Sequence, residues 1–301
     1  MINYIFTFFL IILGGVSLKP AMAVEKKLKV VASFSILGDL TRQIGAEDVD
    51  VDIIVPENAD PHIYEPKPLD VKKLNQADLV IVNGLGFEGW FNRLIVNSGY
   101  KGEVIVAANT VIPRVLHMSQ GVNATDPHAW HNVKNAILYV IEIKQALQKK
   151  LPEKKEEIEV RAKTYIKVLQ ELDYWVHLQF NNLDSHLRKV ITTHDAFAYF
   201  GAEYDIEFLS PVGISTDAQP TAAKVAELIT TIKAQNIKAI FIENLADGRL
   251  VNEIAKEANV EVDGTLYADS LSSPSDLKSP APTYVEMIRY NTLSLHKKLT
   301  S

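Results

Sequence analysis

The sequence predicts an α/β protein made of two α/β lobes with mostly parallel sheets, joined by one long rigid helix. Short β-branched runs alternate with helix-like segments twice along the chain, which is the rhythm of a parallel sheet covered on both faces. Between the two series, residues 153–182 contain neither Gly nor Pro and carry apolar residues every three or four positions. The length of 301 residues is that of about two domains.

The first 23 residues have the pattern of a secretory signal peptide. Residues 4–16 are nearly all apolar, and Ala21-Met22-Ala23 supplies the small residues of a cleavage site, although no basic residue precedes the apolar run. An uncleaved anchor is the alternative, but the run is shorter than the ~20 residues that a membrane span needs. No cysteine follows the segment to carry a lipid. We therefore expect removal of residues 1–23 and a periplasmic mature chain that is not lipid-anchored.

The first lobe is expected over residues 24–151. Its helices are predicted at residues 36–45, 69–77 and 86–96, between β-branched runs that predict strands. These strand candidates are Val30–Phe34, Val51–Val55, Leu79–Val82 and Glu103–Ala107.

A single linking helix is predicted over residues 152–182. Pro152 suits a first helical turn, and three glutamates follow where the helix dipole favours negative charge. Such a helix would be about 45 Å long and would span both lobes; a helical hairpin or coiled-coil arm is the alternative. Its apolar stripe consists of Ile158, Ala162, Tyr165, Leu169, Leu172, Val176 and Phe180.

The second lobe is expected over residues 183–301. Helices are predicted at residues 222–235, 249–258 and 284–299. The strand candidates are Val190–Thr193, Ile237–Ile242 and Val260–Leu266.

Composition and charge exclude several classes of function. The chain has 31 basic and 37 acidic residues, a net charge of -6, whereas proteins that bind nucleic acid need a basic face. The absence of cysteine excludes disulfide scaffolds, cysteine zinc sites, iron–sulfur clusters and thiol nucleophiles. Transition-metal chemistry would therefore depend on the eight histidines.

Three histidines and one aspartate follow strands or strand-like runs, where open α/β sheets place their ligands. His62 and His128 each end an Asp-Pro-His tripeptide, in which the aspartate can orient the imidazole. His194 and Asp269 follow two strand candidates of the second lobe. Three imidazoles and one carboxylate suit a divalent transition metal, so we expect these four residues to form a metal site.

Five sequence strings resemble the solute-binding proteins of zinc and manganese ABC transporters, the cluster A-I or ZnuA- and TroA-like family. The resemblance covers essentially the whole mature chain. It implies two lobes joined by one rigid helix, a metal ion in the cleft on His62, His128, His194 and Asp269, and a membrane permease with its ATPase as partner. The strings are Asp60-Pro61-His62-x-Tyr64-Glu65-Pro66, Asn83-Gly84-Leu85-Gly86-x-Glu88-Gly89-Trp90, Asp126-Pro127-His128-x-Trp130, Thr193-His194-Asp195-Ala196-Phe197-x-Tyr199-Phe200 and Leu266-Tyr267-Ala268-Asp269-Ser270-Leu271.

The cargo is left open between manganese and zinc. Many zinc members of that family carry a long His-rich loop where this chain has the short stretch His117–Asp126 with one histidine. Some manganese members place a glutamate where this chain has His194. Because zinc outranks manganese at nearly any such site, affinity alone does not identify the cargo. Release is expected to begin at Asp269, because its loop follows a strand of the second lobe.

Two other functions compete with metal transport. A metal-dependent hydrolase needs a general base, for which Glu243 is the candidate, but no His-Glu-x-x-His occurs. A haem- or metal-chelate-binding relative of the same architecture would need a broad aromatic cleft.

The remaining expectations concern roles that the chain should lack. Gly84-x-Gly86-x-x-Gly89 fits the dinucleotide-binding fingerprint, but we interpret it as a tight strand-to-helix turn without a cofactor. His131 is expected to lie behind the ligands or at the surface. We expect no catalytic residues, no nucleic acid partner and a monomer.

Overall fold

The computed structural model describes residues 26–117, 123–273, 275 and 280–301. The expected signal peptide, residues 1–23, lies outside this part of the chain. Within the described residues, none of the helices combines the length and the apolar character that crossing a membrane requires.

The first sheet consists of four parallel strands in the order β2-β1-β3-β4. The predicted strands are confirmed to within two residues at each end. Three helices accompany the sheet, and a short antiparallel hairpin follows it. The strands are β1 (Leu28–Phe34), β2 (Val49–Val55), β3 (Leu79–Val82) and β4 (Glu103–Val106), the helices are α1 (Ser35–Gly45), α2 (Pro68–Asn75) and α3 (Phe91–Ser98), and the hairpin strands are β5 (Val115–His117) and β6 (Asn123–Thr125).

The predicted start of α3 at Gly86 is wrong. Gly84, Leu85 and Gly86 have φ angles of 85°, 56° and 83°, which a right-handed helix cannot contain. The helix therefore begins only at Phe91.

Two long helices follow the hairpin, α4 (Val133–Lys150) and α5 (Lys155–Phe180). The prediction did not include α4. A 3₁₀ turn over Pro152–Lys154 leads into α5, which is one uninterrupted helix of 26 residues and about 39 Å. The buried residues of α5 are the seven of the predicted apolar stripe. They pack against α4, α1 and the C-terminal helix α9 (Tyr284–Leu299).

The second sheet also has four parallel strands, in the order β10-β9-β7-β8. Every strand of the first sheet precedes α5 in the chain, and every strand of the second follows it. The predicted helices are confirmed at both ends. The strands are β7 (Lys189–Ile191), β8 (Glu207–Leu209), β9 (Ala239–Glu243) and β10 (Gly264–Leu266), and the helices other than α9 are α6 (Ala198–Tyr204), α7 (Ala222–Gln235) and α8 (Arg249–Ala258).

The predicted strand Val260–Leu266 is wrong over its first four residues. Asn259 ends α8 in the left-handed conformation, and the Val260 N–H donates to the Ala255 carbonyl. Because this helix-terminating turn uses the backbone of Val260, the chain enters the sheet only at Gly264.

One buried apolar cluster runs from the first sheet through α4, α5 and α9 to the strands of the second sheet. Phe34, Leu169 and Phe241 belong to this cluster and are at most 2% exposed. A smaller cluster lies between α7, α8 and the second sheet. The elements on both sides of α5 therefore share most of their core.

Candidate metal centre

Each of the four predicted ligands lies in a loop that follows a strand. His62 follows β2, His194 follows β7 and Asp269 follows β10, at the carboxyl ends of parallel strands. His128 follows the hairpin strand β6 and precedes a 3₁₀ turn. The two sheets thus present these loops to each other, as open parallel sheets commonly do at a ligand site.

The structure brings all four side chains together. The Nε2 atom of His128 lies 3.2 Å from that of His62 and 3.3 Å from that of His194. The Asp269 carboxylate lies 3.4 Å from His62 Nε2, 3.6 Å from His128 Nε2 and 3.3 Å from His194 Nε2. One donor atom from each residue lies within 4.8 Å of all the others.

These separations match the dimensions of a tetrahedral metal site. Donor atoms about 2.1 Å from one ion lie about 3.4 Å apart when they occupy the corners of a tetrahedron. The observed range of 3.2–3.6 Å brackets this value. The four residues therefore surround a space that fits one ion.

The hydrogen bonds of the histidine rings aim unprotonated nitrogens at this space. Nδ1 of His128 lies 2.8 Å from Asp126 Oδ1, and Nδ1 of His194 contacts Glu243 Oε2. Because a carboxylate only accepts, each Nδ1 carries the proton of a neutral ring, and each Nε2 presents a lone pair. Two lone pairs facing each other at 3.3 Å repel unless a cation lies between them.

Burial strengthens the electrostatics of the cluster. His128, His194 and Asp269 are at most 2% exposed, and the His62 side chain is 4% exposed. Burial lowers the pKa of His194, but the Glu243 and Asp269 carboxylates outweigh this effect and raise the pKa well above its ordinary value of 6.5. Burial would raise the pKa of Asp269, yet His194 and His128 hold it well below its ordinary value of 3.8. A cation therefore meets an ionised Asp269 at neutral pH.

The twin Asp-Pro-His tripeptides have the same local geometry. Asp60 Oδ1 accepts the His62 N–H at 2.9 Å, and Asp126 Oδ1 accepts the His128 N–H at 3.0 Å. This short side-chain to backbone bond closes a turn around each proline. Only Asp126 also reaches the ring of its histidine, so the expectation that the aspartate orients the imidazole is correct for His128.

The carbonyl before three of the ligands accepts a hydrogen bond from a buried side chain. The Trp90 indole N–H donates to Pro61 O at 2.8 Å, and the Asn83 amide donates to Pro127 O at 3.0 Å. The Trp130 indole N–H donates to Ala268 O at 3.0 Å. The sequence analysis missed these three donors as site residues, although all three lie within the family-like strings.

Glu243 holds the third histidine. Its Oε1 accepts the His194 N–H at 2.9 Å, while its Oε2 contacts the ring Nδ1. Glu243 is 3% exposed. Since both oxygens are used on His194, the geometry gives Glu243 a supporting role for a ligand and leaves no oxygen free for a general base.

The glycine turn after β3 has no room for a nucleotide phosphate. The Glu88 carboxylate accepts the backbone N–H groups of Asn83 at 2.6 Å and Gly84 at 3.2 Å, as well as the Ser33 hydroxyl at 2.6 Å. In a dinucleotide-binding loop the backbone N–H groups face phosphate oxygens instead. The interpretation of this motif as a tight turn agrees with these bonds.

His131 lies outside the four-residue cluster. It is fully buried, and its ring packs at 4.5 Å between centroids against Phe197. Burial lowers the pKa of His131 to about 3, so the ring is neutral at physiological pH. The expectation of a role behind the ligands or at the surface is thus met by burial beside the site.

A second group of Asp173, His177 and Glu203 has donor atoms within 4.8 Å of one another. Here Glu203 accepts from the Lys134 ammonium group and, at 2.9 Å, from the Asn132 amide. Lys134 already supplies the positive charge, so this cluster is an ion-pair network rather than a metal site.

A cavity of about 680 Å³ reaches the cluster from the surface. Asp60 and Ile63 line one wall, and His194 and Thr216 line another. The Thr216 hydroxyl donates to Asp60 Oδ2 at 2.7 Å. This bond joins the loop of His62 to a loop of the second sheet at the mouth of the site.

Known proteins with similar sequences and structures bind metals. The family model of the zinc-uptake complex component A, periplasmic (ZnuA), matches residues 30–298. The manganese-binding lipoprotein MntA of Halalkalibacterium halodurans is 32% identical over 264 residues, 88% of this chain and 86% of that protein. The manganese ABC transporter substrate-binding lipoprotein PsaA of Streptococcus mitis is 30% identical over 94% of this chain and 92% of that protein.

Solved structures give the same result. The periplasmic zinc binding protein TroA from Treponema pallidum matches with a TM-score of 0.84 and 28% identity, over 91% of this chain and 99% of that one. The Mn-bound periplasmic metal binding protein from Candidatus Liberibacter asiaticus matches with a TM-score of 0.81 and 26% identity, over 91% and 100%. With a family model that covers residues 30–298 and relatives at 30% identity or more over most of their length, this chain belongs to the ZnuA family of ABC-transporter solute-binding proteins.

Proposed function

We propose that this protein is the solute-binding component of an ABC importer. It captures a divalent metal ion on His62, His128, His194 and Asp269 and delivers the ion to a membrane permease with its ATPase. The observation that carries the proposal is the convergence of three imidazole nitrogens and one carboxylate at 3.2–3.6 Å. Residues 24–151 and 183–301 act as the two lobes, and the helix over residues 152–182 connects them.

The cargo that we propose is manganese and/or zinc. Imidazole nitrogens suit zinc, and a carboxylate suits manganese, so the donor set accepts either ion. Relatives are named for manganese, and the structural neighbour TroA is named for zinc. The ion is the transported substrate of the protein.

The site supports binding rather than catalysis. A catalytic metal site needs an open coordination position and a base near it. Both oxygens of Glu243, the candidate base, are bonded to His194. We therefore propose no catalytic residues and no enzymatic activity.

We propose that the mature protein is an exported, periplasmic monomer after removal of residues 1–23. The relatives named above are lipoproteins, whereas the 301 residues here include no cysteine to carry a thioether-linked lipid. The net charge of -6 favours cations over nucleic acid as ligands.

Metal analysis and competition binding test this function. Protein purified without added metal should contain about one manganese or zinc ion per chain, and competition at matched free concentrations ranks the two ions. His62→Ala and Asp269→Ala should each lower the affinity by at least tenfold, and His186→Ala, which alters an exposed histidine, should not change it. Near-normal affinity in both site variants would reject the proposed function.

A further inference from the structure

The loop that carries Asp269 is hydrogen-bonded to the first lobe. On one side of Asp269, the Ala268 carbonyl accepts from the Trp130 indole at 3.0 Å. On the other side, the Leu271 N–H donates to the Ser35 hydroxyl at 3.0 Å. Trp130 and Ser35 both precede α5 in the chain. Asp269 therefore follows a strand of the second sheet but is held by residues of the first lobe.

Trp130 cannot shift without its surroundings. It is fully buried, and its ring centroid lies 5.0 Å from that of Phe34 and 4.9 Å from that of Phe87. Its own carbonyl accepts the Tyr284 hydroxyl at 2.7 Å. The ring of His128, two residues earlier in the chain, lies 5.3 Å away. The indole therefore links His128 rigidly to the backbone just before Asp269.

The support of His194 is different. Its ring and its N–H are bonded to Glu243, and its carbonyl accepts from Thr192 Oγ1 at 3.0 Å. The next residue, Asp195, donates its N–H to Gly213 O at 3.1 Å. All of these partners belong to the second lobe. The four ligands thus divide into three that are supported by the first lobe and one that is supported by the second.

We propose that Trp130 is a positioning residue for metal binding, whose indole N–H fixes Asp269 beside His128. His62, His128 and Asp269 then form one unit on the first lobe, and His194 is the single ligand that the second lobe contributes. This inference rests on the proposed function. It also reverses the sequence-based expectation that release begins at Asp269, because the second lobe can move away only with His194.

A double-mutant cycle tests this role. Trp130→Phe removes the N–H but keeps an aromatic ring, and it should weaken zinc binding by about 10- to 100-fold, the usual effect of losing a partner behind a ligand. If Trp130 acts through Asp269, the double variant Trp130→Phe/Asp269→Ala should bind no more weakly than Asp269→Ala alone. Trp175→Phe, on α5 beside Arg289, is the matched control and should bind like the wild type.

The visible spectrum of the Co²⁺-loaded protein separates positioning from general destabilisation. A four-coordinate Co²⁺ site gives intense bands that fade when water replaces a protein ligand. Trp130→Phe should lose band intensity in the direction of Asp269→Ala, while Trp175→Phe should keep the wild-type spectrum. An unchanged spectrum in Trp130→Phe, or additive losses of affinity in the double variant, would overturn the inference. Unchanged affinity in Asp269→Ala would overturn the proposed function together with it.

Hydrogen exchange in the wild-type protein gives a test that needs no variant to fold. The Trp130 indole N–H should exchange slowly with solvent in both the metal-free and the metal-loaded protein, because the clamp is independent of the ion. Tenfold or faster exchange of this proton in the metal-free protein would contradict the proposal.

Discussion

Glu243 grips His194 at two points, the backbone N–H at 2.9 Å and the ring Nδ1. The two bonds set both the position of the ligand and the tautomer of its ring. A carboxylate behind a metal-bound imidazole also makes the nitrogen a stronger donor. The contact therefore gives a carboxylate that resembled a catalytic base a role in metal affinity.

Glu243→Gln should weaken metal binding by about 10- to 100-fold. The glutamine NH₂ group must face one of the two donors of His194, which breaks one bond and reorients the ring. Competition against a fluorescent chelator measures the affinity. Glu253→Gln, an exposed position in the same lobe, is the matched control. Equal affinity in the two variants would contradict the supporting role of Glu243.

Metal binding should release about one proton per ion at neutral pH. In the metal-free protein, Glu243 and Asp269 raise the pKa of His194 above 6.5 despite its burial, so the ring holds a proton that an ion must displace. Calorimetry in buffers of different ionisation enthalpy counts the protons. Release of no proton by the wild type at neutral pH is the contrary result.

The same pKa shift should make the stabilisation by metal depend on pH. Since the pKa of His194 is raised on folding, its proton stabilises the metal-free fold fully below 6.5, and this contribution is lost as the pH rises through the folded-state pKa. Metal affinity rises over the same interval. The increase in melting temperature on adding metal should therefore grow with pH above neutrality, and an increase that shrinks with pH would refute this linkage.

Thr216→Val should speed up metal dissociation by a few-fold. It removes the 2.7 Å bond to Asp60 that joins the two loops at the mouth of the site, and a hydrogen bond of this kind contributes about 1 kcal/mol. Stopped-flow mixing of loaded protein with excess chelator measures the rate. Thr230→Val, on the exposed face of α7, should leave the rate unchanged. Equal rates for the two variants would show that this bond does not limit release.

Leu172→Ala should lower the free energy of unfolding by about 2–5 kcal/mol, because the leucine is fully buried on α5 and its loss leaves a cavity. Val168→Ala, four residues earlier and 40% exposed, should change it by only about 0.5 kcal/mol or less. Urea denaturation of the metal-free protein measures both. Similar losses would mean that the stripe does not anchor the helix.

Regular, local patterns in the sequence predicted most of the fold. The stripe on α5 and the bounds of α7, α8 and α9 were predictable because helical periodicity is a property of neighbouring residues. The helix α4 was missed, although the Asn132 side chain caps it by accepting from the Lys134 N–H. The start of α3 was misplaced because three residues with positive φ delay the helix.

The sequence by itself determined which residues could bind a metal, since imidazole and carboxylate side chains at strand ends are chemical facts of the chain. It also determined the two parallel sheets and the helix between them. Only the tertiary structure decided what stands behind each donor: Asp126 and Glu243 on the rings, and Trp130 on the backbone before Asp269. Trp130 and Ala268 are 138 positions apart. Their contact depends on how the two lobes pack, and no local pattern of the chain encodes it.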